Sequence, residues 1–301
     1  MPGRIVITGA SGMVGRALTR VLATAGIPVT RLGRGPNADV TWDALRDDID
    51  PAVFEGAAAV VHLAGATLAK RWTRQRRREI RESRTRGTLA VARAIANAMR
   101  PPPVLVSASA IGIYGDRGDE VLAETSVPGE GLLAVIAREW EEATELASGV
   151  GVRVVHMRSG VVLARRGGAI AKMLPFFRLG IGGRVADGRQ WMSWISLHDA
   201  VRAIRFAIKS SIRGPVNVVT PNPVTNAEFA KTFGAVLRRP AAFPVPRLAL
   251  VLLYGQMAKE TLLASQRCSP DALTRAGFVF DEPLLDGALR HEMSRYETDS
   301  R

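Results

Sequence analysis

Three glycines, Gly9, Gly12 and Gly15, stand in the stretch ITGASGMVGRAL, between a β-branched run, RIVITG (4–9), and a helical segment, MVGRALTRVLATAG (13–26). A glycine turn at such a junction lets backbone N–H groups approach a pyrophosphate at the positive end of a helix dipole. Because strand, spacing and helix occur in register, the stretch reads as a dinucleotide loop rather than a bare glycine triplet. Ser11, Met13 and Val14 join the glycines as its contact residues. The end of the second strand selects the dinucleotide, since an acid there binds a ribose 2′-hydroxyl and a cation suits a 2′-phosphate. Here the chain reads Arg31, Leu32, Gly33, Arg34, with Arg34 nineteen residues beyond Gly15. One charge-assisted hydrogen bond from that guanidinium is worth about 1.5–3 kcal/mol, or about 10- to 150-fold in affinity. Asp39 is the rival acid, but Gly35 and Pro36 end the strand before it. The expected cofactor is NADP(H), with Gly33 and Arg34 at its adenosine end.

Proton chemistry has fewer candidates. A single cysteine, Cys268, excludes an internal disulfide and a cysteine-based zinc site, and the four histidines are not at metal-ligand spacing, so no metal is expected. Tyr114 follows the fourth strand, at the carboxyl edge where ligands bind in open parallel sheets. It could reach the reacting end of the cofactor, or be a packing tyrosine. Trp191 and Trp194, with Arg189 and Gln190, could line a substrate cleft. His198 and Asp199 are better explained by strand-end packing and helix capping, and Lys172 by the surface.

The elements that must position these residues are legible as an alternation. Strands at 4–9, 28–34, 58–65 and 103–110 are separated by helical segments, the longest from about 74 to 99, which argues for parallel strands with crossover helices. A helix over roughly 131–148 precedes VRVVHMRSGVVL (152–163), which returns to the sheet. After Leu163 the texture changes: glycine-rich loops flank MLPFFRLG, QWMSWISLHDAVRAIRFAI (190–208) reads as a strand and a helix with Asp199 placed to cap it, and GPVNVVTPNP (214–223) is another strand. The tail from about 224 is mainly helical. The fold class expected is α/β: a doubly wound Rossmann parallel sheet over residues 1–165, with a return of the chain at about 190–222, and a smaller, mainly helical substrate lobe over 166–301.

The chain of 301 residues, 47% hydrophobic and 23% charged, has a globular composition. No apolar run approaches the roughly 18 residues needed to cross a bilayer; LALVLLY, 248–254, is the longest at seven. MPGRIVITG enters a strand at once and leaves no room for a signal peptide, so a cytoplasmic protein without membrane association is expected. Of the net charge of +13, a surplus of seven lies in 70–86, with nine basic residues and two acids. Such a stripe can neutralise phosphates. A solvated helix face also accounts for it, with Ile80 and Leu89 inward, Arg76, Arg77 and Arg81 outward, and Trp72 the only aromatic. Nucleic acid is not the expected partner; a small-molecule substrate is, and a homodimer is left open.

The spacing GASGMVG at 9–15, HLAG at 62–65 and SASAIGIYG at 107–115 resembles the extended short-chain dehydrogenase/reductases. Further stretches narrow the likeness to an atypical "epimerase family" branch of NADP(H)-binding proteins: WD at 42–43, RWT at 71–73, SR at 83–84, WE at 140–141, RSGVVL at 158–163, GGA at 167–169, GRQWMSWI at 188–195 and PVTNAEFA at 223–230. The resemblance covers nearly the whole chain. It implies that the strand-end arginine, Leu63, Ala64, Glu79 and Arg84 line the cofactor site, and Val161 of the RSGVVL stretch is placed there too.

The resemblance also sharpens what is missing. The superfamily uses a Tyr-x-x-x-Lys pair on the helix after the fourth strand: the lysine lowers the tyrosine pKa, and a serine at the strand end orients the reacting oxygen. Aligned by Glu141, Leu133 stands at the tyrosine place and Ala137 at the lysine place. Neither can titrate, and the two are expected to offer the nicotinamide an apolar wall. Losing general acid–base assistance forfeits about 10²–10⁴-fold in rate. The serine remains as Ser109, with Ser107 the alternative. The expected activity is that of an oxidoreductase of open substrate, with Ser109, Tyr114 or a water as proton partner; the alternative is a non-catalytic NADPH-sensing protein.

Overall fold

The structure, a computed structural model, describes residues 3–46 and 48–298, with side chains as far as 294. The first half is β1 (Ile5–Thr8), α1 (Met13–Thr24), β2 (Val29–Gly33), β3 (Val40–Thr41), β4 (Ala59–His62), α2 (Arg74–Ala96) and β5 (Val104–Ala110). Then come β6 (Val121–Leu122), α3 (Leu132–Glu142), α4 (Glu145–Gly149) and β7 (Arg153–Ser159). The second half runs β8 (Val161–Leu163), α5 (Gly168–Arg178), β9 (Trp191–Met192), β10 (Trp194–Ser196), α6 (Leu197–Lys209) and β11 (Gly214–Val218). It closes with β12 (Val224–Thr225), α7 (Asn226–Leu237), α8 (Arg247–Tyr254), β13 (Arg267–Cys268), α9 (Asp271–Arg275) and α10 (Leu285–Thr298).

Seven strands form one parallel sheet in the order β11-β7-β5-β4-β1-β2-β3. The order reverses at β1, so the carboxyl ends of β1 and β4 flank a topological switch point, where open α/β sheets bind ligands. β1 and β4 are buried along their whole length, as strands covered on both faces must be. One face is covered by Leu18 and Leu22 of α1 and Ala200, Val201 and Ile204 of α6. The other is covered by Val91, Ala92 and Ile95 of α2, with Phe54 and Trp42. This is the doubly wound arrangement expected from the alternation.

The boundary between lobes is finer than the sequence suggests. β8 leaves the main sheet and pairs with β10, and the helix expected over 131–148 is two, α3 and α4. Leu273 and Phe278, from the carboxyl-terminal third, lie in the core of the first lobe. That second return of chain carries β13, which pairs with β6. The smaller lobe has its own core, with Leu174 and Phe177 of α5, Phe229 and Phe233 of α7, and Leu289 of α10 around Trp194. Asp199 is not the cap of α6: Ser196 is, its hydroxyl accepting from the Asp199 amide, while the buried Asp199 carboxylate accepts from Arg202 and from the amides of Asp281 and Glu282.

His62 closes β4 and is fully buried, its ring nitrogens on the Thr8 hydroxyl at 2.7 Å and the Thr88 hydroxyl at 2.9 Å. Burial depresses its pKa from 6.5 to about 4. The folded state therefore binds this proton less readily than the unfolded chain. The stabilisation is complete above 6.5 and is lost as pH falls towards 4. Denaturant titrations should find the protein about 2 kcal/mol less stable at about pH 5 than at pH 7.5 from this group. His62→Asn should flatten that part of the slope.

Candidate cofactor and active site

The glycine turn sits at the switch point, and its shape explains its composition. Gly9 has φ of 70°, and a Cβ there would stand 2.6 Å from the Leu63 carbonyl carbon. A Cβ on Gly15 would collide with the Gly9 carbonyl oxygen. The turn is closed by the Gly12 amide donating to that oxygen at 2.9 Å, and the Arg16 guanidinium pins the Ser11 carbonyl. Gly12 caps α1 without a side-chain hydrogen bond, so the amides of the first turn, from Met13 and Val14, face outward as an anion cradle. Met13 touches the far lobe: a Cβ on Gly167, at the start of α5, would lie 3.3 Å from its sulfur. Leu63 and Ala64 run beside the turn, the Leu63 amide on the Thr8 carbonyl at 3.1 Å and the Ala64 amide on the Thr8 hydroxyl at 3.4 Å.

At the end of β2 the two arginines have different fates. Arg31 is held by Asp39 in a two-point ion pair at 2.8 and 3.0 Å, and its backbone amide donates to the same carboxylate. The hydrogen bonds from the Arg31 side chain and backbone hold the Asp39 carboxyl down at about 2. Asp39 is thus already occupied. Arg34 is exposed, with no ion pair among the described residues, and Gly33 beside it opens onto empty space. Arg84 reaches the other side of the site. It donates to the Ala66 and Ile80 carbonyls at 3.1 Å, lies 5.0 Å above the Trp140 ring, and faces Gly65. Burial, and then the charge of Arg76, lower its pKa to about 10. No carboxylate pairs with it among the described residues, so its charge is available to an anionic ligand. Glu79 is half-exposed and accepts from Arg76 at 2.5 Å. Arg76 is therefore tucked in rather than outward. Val161 opens β8 at the junction of the lobes, its amide on the Ser193 carbonyl at 2.9 Å.

The basic run at 70–86 is largely occupied within the molecule: Arg78 pairs with Glu82, Arg81 with Glu139, and Arg77 with Gln256. Gln256 in turn donates to Glu260, and Glu260 accepts from the Leu133 amide at 2.8 Å. A carboxylate of the second lobe thereby supplies the N-terminal cap that Gly131 cannot give α3.

Leu133 is half-buried and packs against Gly112 in the loop after β5, near Leu68, Trp72, Leu132 and Met257. Ala137 departs from expectation. It is 3% exposed and packed with Ile111, Ile113 and Tyr114, so the apolar wall is Leu133 and its neighbours without it. Tyr114 must be corrected too. It is fully buried, its hydroxyl donates to Asn217 Oδ1 at 2.8 Å and accepts from Arg158 at 3.0 Å, and burial pushes its pKa up to about 12. A phenol so enclosed cannot meet a substrate. Trp194 and Gln190 are also structural: the indole donates to the Asn222 carbonyl and the amide to the carbonyls of Val185 and Leu262. Trp191 is half-buried, bonded to Asp119 at 2.7 Å with Arg267 stacked on its ring.

Ser109 lies at the end of β5, 4% exposed, and its hydroxyl donates to Glu141 Oε1 at 2.6 Å. Glu141 also receives a fork from Arg158, Nε and Nη2 each at 2.8 Å. Burial alone would raise the Glu141 pKa, but the hydrogen bonds and charge of Arg158, with His156 and Ser109, outweigh it and hold the group ionised. Sequence reasoning quoted both residues, in WE and in RSGVVL, without joining them. The available signal was Arg158, a lone arginine in the largely apolar run VVHMRSGVV; Glu141, set between Glu139 and Glu142, gave none. Ser107, the alternative, is fully buried.

Fold and site together define an extended short-chain dehydrogenase/reductase. The sequence model of the NAD dependent epimerase/dehydratase family matches residues 5–219, and one for a domain of unknown function (DUF1731) matches 245–292. The chain belongs to the NAD dependent epimerase/dehydratase family. It is 40% identical over 296 residues to the epimerase family protein Mb2239 of Mycobacterium bovis, covering 97% of this chain and 98% of that one. Its structure is similar to the crystal structure of human epimerase family protein SDR39U1 (isoform 2) with NADPH, at a TM-score of 0.89 and 33% identity, covering 97% of this chain and 99% of that one. A nucleoside-diphosphate sugar epimerase from Corynebacterium glutamicum matches at a TM-score of 0.80 and 38% identity, covering 98% of this chain but 59% of that one.

Proposed function

We propose that the protein binds NADP(H) and acts as an oxidoreductase that works without a Tyr/Lys acid pair. The observation that carries the cofactor half is the contrast at the end of β2, with Arg34 unpaired and Asp39 locked onto Arg31. The uncapped first turn of α1 and Arg84, which no carboxylate neutralises among the described residues, fit the same ligand, and the human relative was solved with NADPH. Gly9, Ser11, Gly12, Met13, Val14 and Gly15 would hold the pyrophosphate, Gly33 and Arg34 the adenosine phosphate, and Leu63, Ala64, Glu79, Arg84 and Val161 the flanks. Bound NADP(H) supplies or accepts the hydride.

The residues around Ser109 restrict the rest. Its proton is directed at an anionic carboxylate, so the serine presents lone pairs to the cleft and accepts from a substrate hydroxyl. Glu141, held ionised by Arg158, is a poor proton acceptor. Ser109 therefore orients a substrate, and the proton exchanges with water or with the substrate itself. Acceptors that stabilise their own developing charge, such as quinones and conjugated carbonyls, suit a site walled by Leu133, Leu68 and Met257 better than unactivated ketones.

A panel of aldehydes, quinones and nucleotide sugars, followed by NADPH absorbance, tests this reading. Turnover should fall about tenfold in Ser109→Ala, the worth of one orienting hydrogen bond, because Glu141 keeps the Arg158 fork. The second reading, a sensor whose bound cofactor sets its partner choice, is favoured by the absent acid pair. Tight NADPH binding with no turnover across the panel selects it.

A further inference from the structure

We propose that α8 and the loop beside it form a docking face for an anionic lipid surface. α8 carries the longest apolar run of the chain, yet only Leu250 is buried, while Leu248, Leu252 and Leu253 are 70%, 66% and 61% exposed. Helical periodicity places Leu248 and Leu252, four apart, on the side opposite Leu250, while Leu253 stands exposed near the end of the helix. The segment leading into α8 lies against 181–186 through bridges between Gly183 and Ala242 and between Val185 and Val245. That pairing runs the segment carrying exposed Phe243 along 183–185, just after exposed Phe176, Leu179 and Ile181 in the chain. An apolar face of this extent on a monomer marks an interaction surface.

Charge identifies the occupant. Residues 170–186 and 231–259 hold eight lysines and arginines, Arg178, Arg184, Arg247 and Lys259 among them, and no aspartate or glutamate. All eight are exposed. The acids just outside are engaged elsewhere: Asp187 accepts from the Arg189 amide, and Glu260 from the Leu133 amide and Gln256. A second copy would set like charges face to face, whereas an anionic bilayer complements both the cations and the leucines. With eight residues α8 cannot span a bilayer and would lie in its interface. No helix among the described residues is long and apolar enough to cross a membrane. The contact is peripheral, and it departs from the expectation of no membrane association, which rested on the lack of a long apolar run.

Sedimentation of the purified protein with vesicles decides the matter. Vesicles containing phosphatidylglycerol should carry it down, vesicles of phosphatidylcholine alone should not, and added salt should weaken the binding. Arg247→Gln with Lys259→Gln should reduce partitioning about 25-fold, roughly fivefold per cation. Leu252→Asp with Leu253→Asp should abolish it, while thermal unfolding and NADPH binding stay unchanged because these side chains touch no core. Failure to bind phosphatidylglycerol vesicles at low salt overturns the proposal, as does binding indifferent to the leucine changes. A dimer in light scattering that Leu252→Asp dissolves assigns the face to a second copy instead, and saturable binding to an acidic peptide but not to vesicles assigns it to protein; either result overturns the lipid assignment.

Discussion

Arg34→Gln is expected to weaken NADPH binding by about 10- to 150-fold and to leave NADH binding nearly unchanged, so that the preference between the two collapses. Arg34 is exposed and has no ion pair among the described residues, so its loss should cost the fold nothing. Arg31 cannot stand in for it, because two side-chain contacts and a backbone amide bind it to Asp39. The 2′-phosphate is the only group that distinguishes the two cofactors, so the whole effect should appear in one titration and be absent from the other. Both belong at the same ionic strength, since exposed charges are screened by salt.

Arg158→Met is expected to lower stability by about 3–5 kcal/mol, the range found when one partner of a buried ion pair is removed, and to lower the melting temperature by roughly 10 °C. Arg158 is 6% exposed and is the hub of a buried network. It forks onto Glu141, reaches the Tyr114 hydroxyl and the Glu124 carbonyl, and through Tyr114 holds Asn217. Without it Glu141 is left as a buried carboxylate with Ser109 as its remaining close donor. Removing both charges, in Arg158→Met with Glu141→Leu, should recover much of the loss, because a buried pair replaced by apolar groups is often neutral. The pH dependence has a definite sign. Glu141 is held below its ordinary value in the folded protein, so its stabilisation is present above the carboxylate range and fades as pH falls through it. The gap between wild type and Arg158→Met should therefore narrow in acid. A gap that is constant with pH would mean that Arg158 acts by packing alone.

Periodicity and loop chemistry made the first lobe legible. β1 and β4 are buried at every position, and apolar at all but their last residues, Thr8 and His62, because both of their faces are covered, and the glycine turn is dictated by the close approach of Leu63 and Gly9. The expectation for Arg34 rests on ligand chemistry rather than on tertiary context. The burial of Ala137, and the choice between the two roles open to Tyr114, were illegible in the sequence for a common reason. Linear spacing gives a residue's place on its element, but not which neighbour arrives from elsewhere to cover it. Here Leu122, Val219 and Cys268, distant in sequence, enclose both. The cap of α3 was illegible for the same reason, since Glu260 comes from the other lobe. Asp199 illustrates a local failure: Ser196 and Asp199 both have capping chemistry, and the geometry, with the Ser196 hydroxyl on the Asp199 amide, chose the earlier residue.

The central claim is that this chain holds a 2′-phosphorylated dinucleotide at a site whose proton-transfer pair is replaced by Leu133 and Ala137. Isothermal titration of the intact protein with NADPH and with NADH tests it most directly. One NADPH per chain should bind at micromolar levels or tighter, and NADH at least an order of magnitude more weakly, in line with one lost charge-assisted contact. No heat with NADPH, or equal affinity for the two, would contradict it.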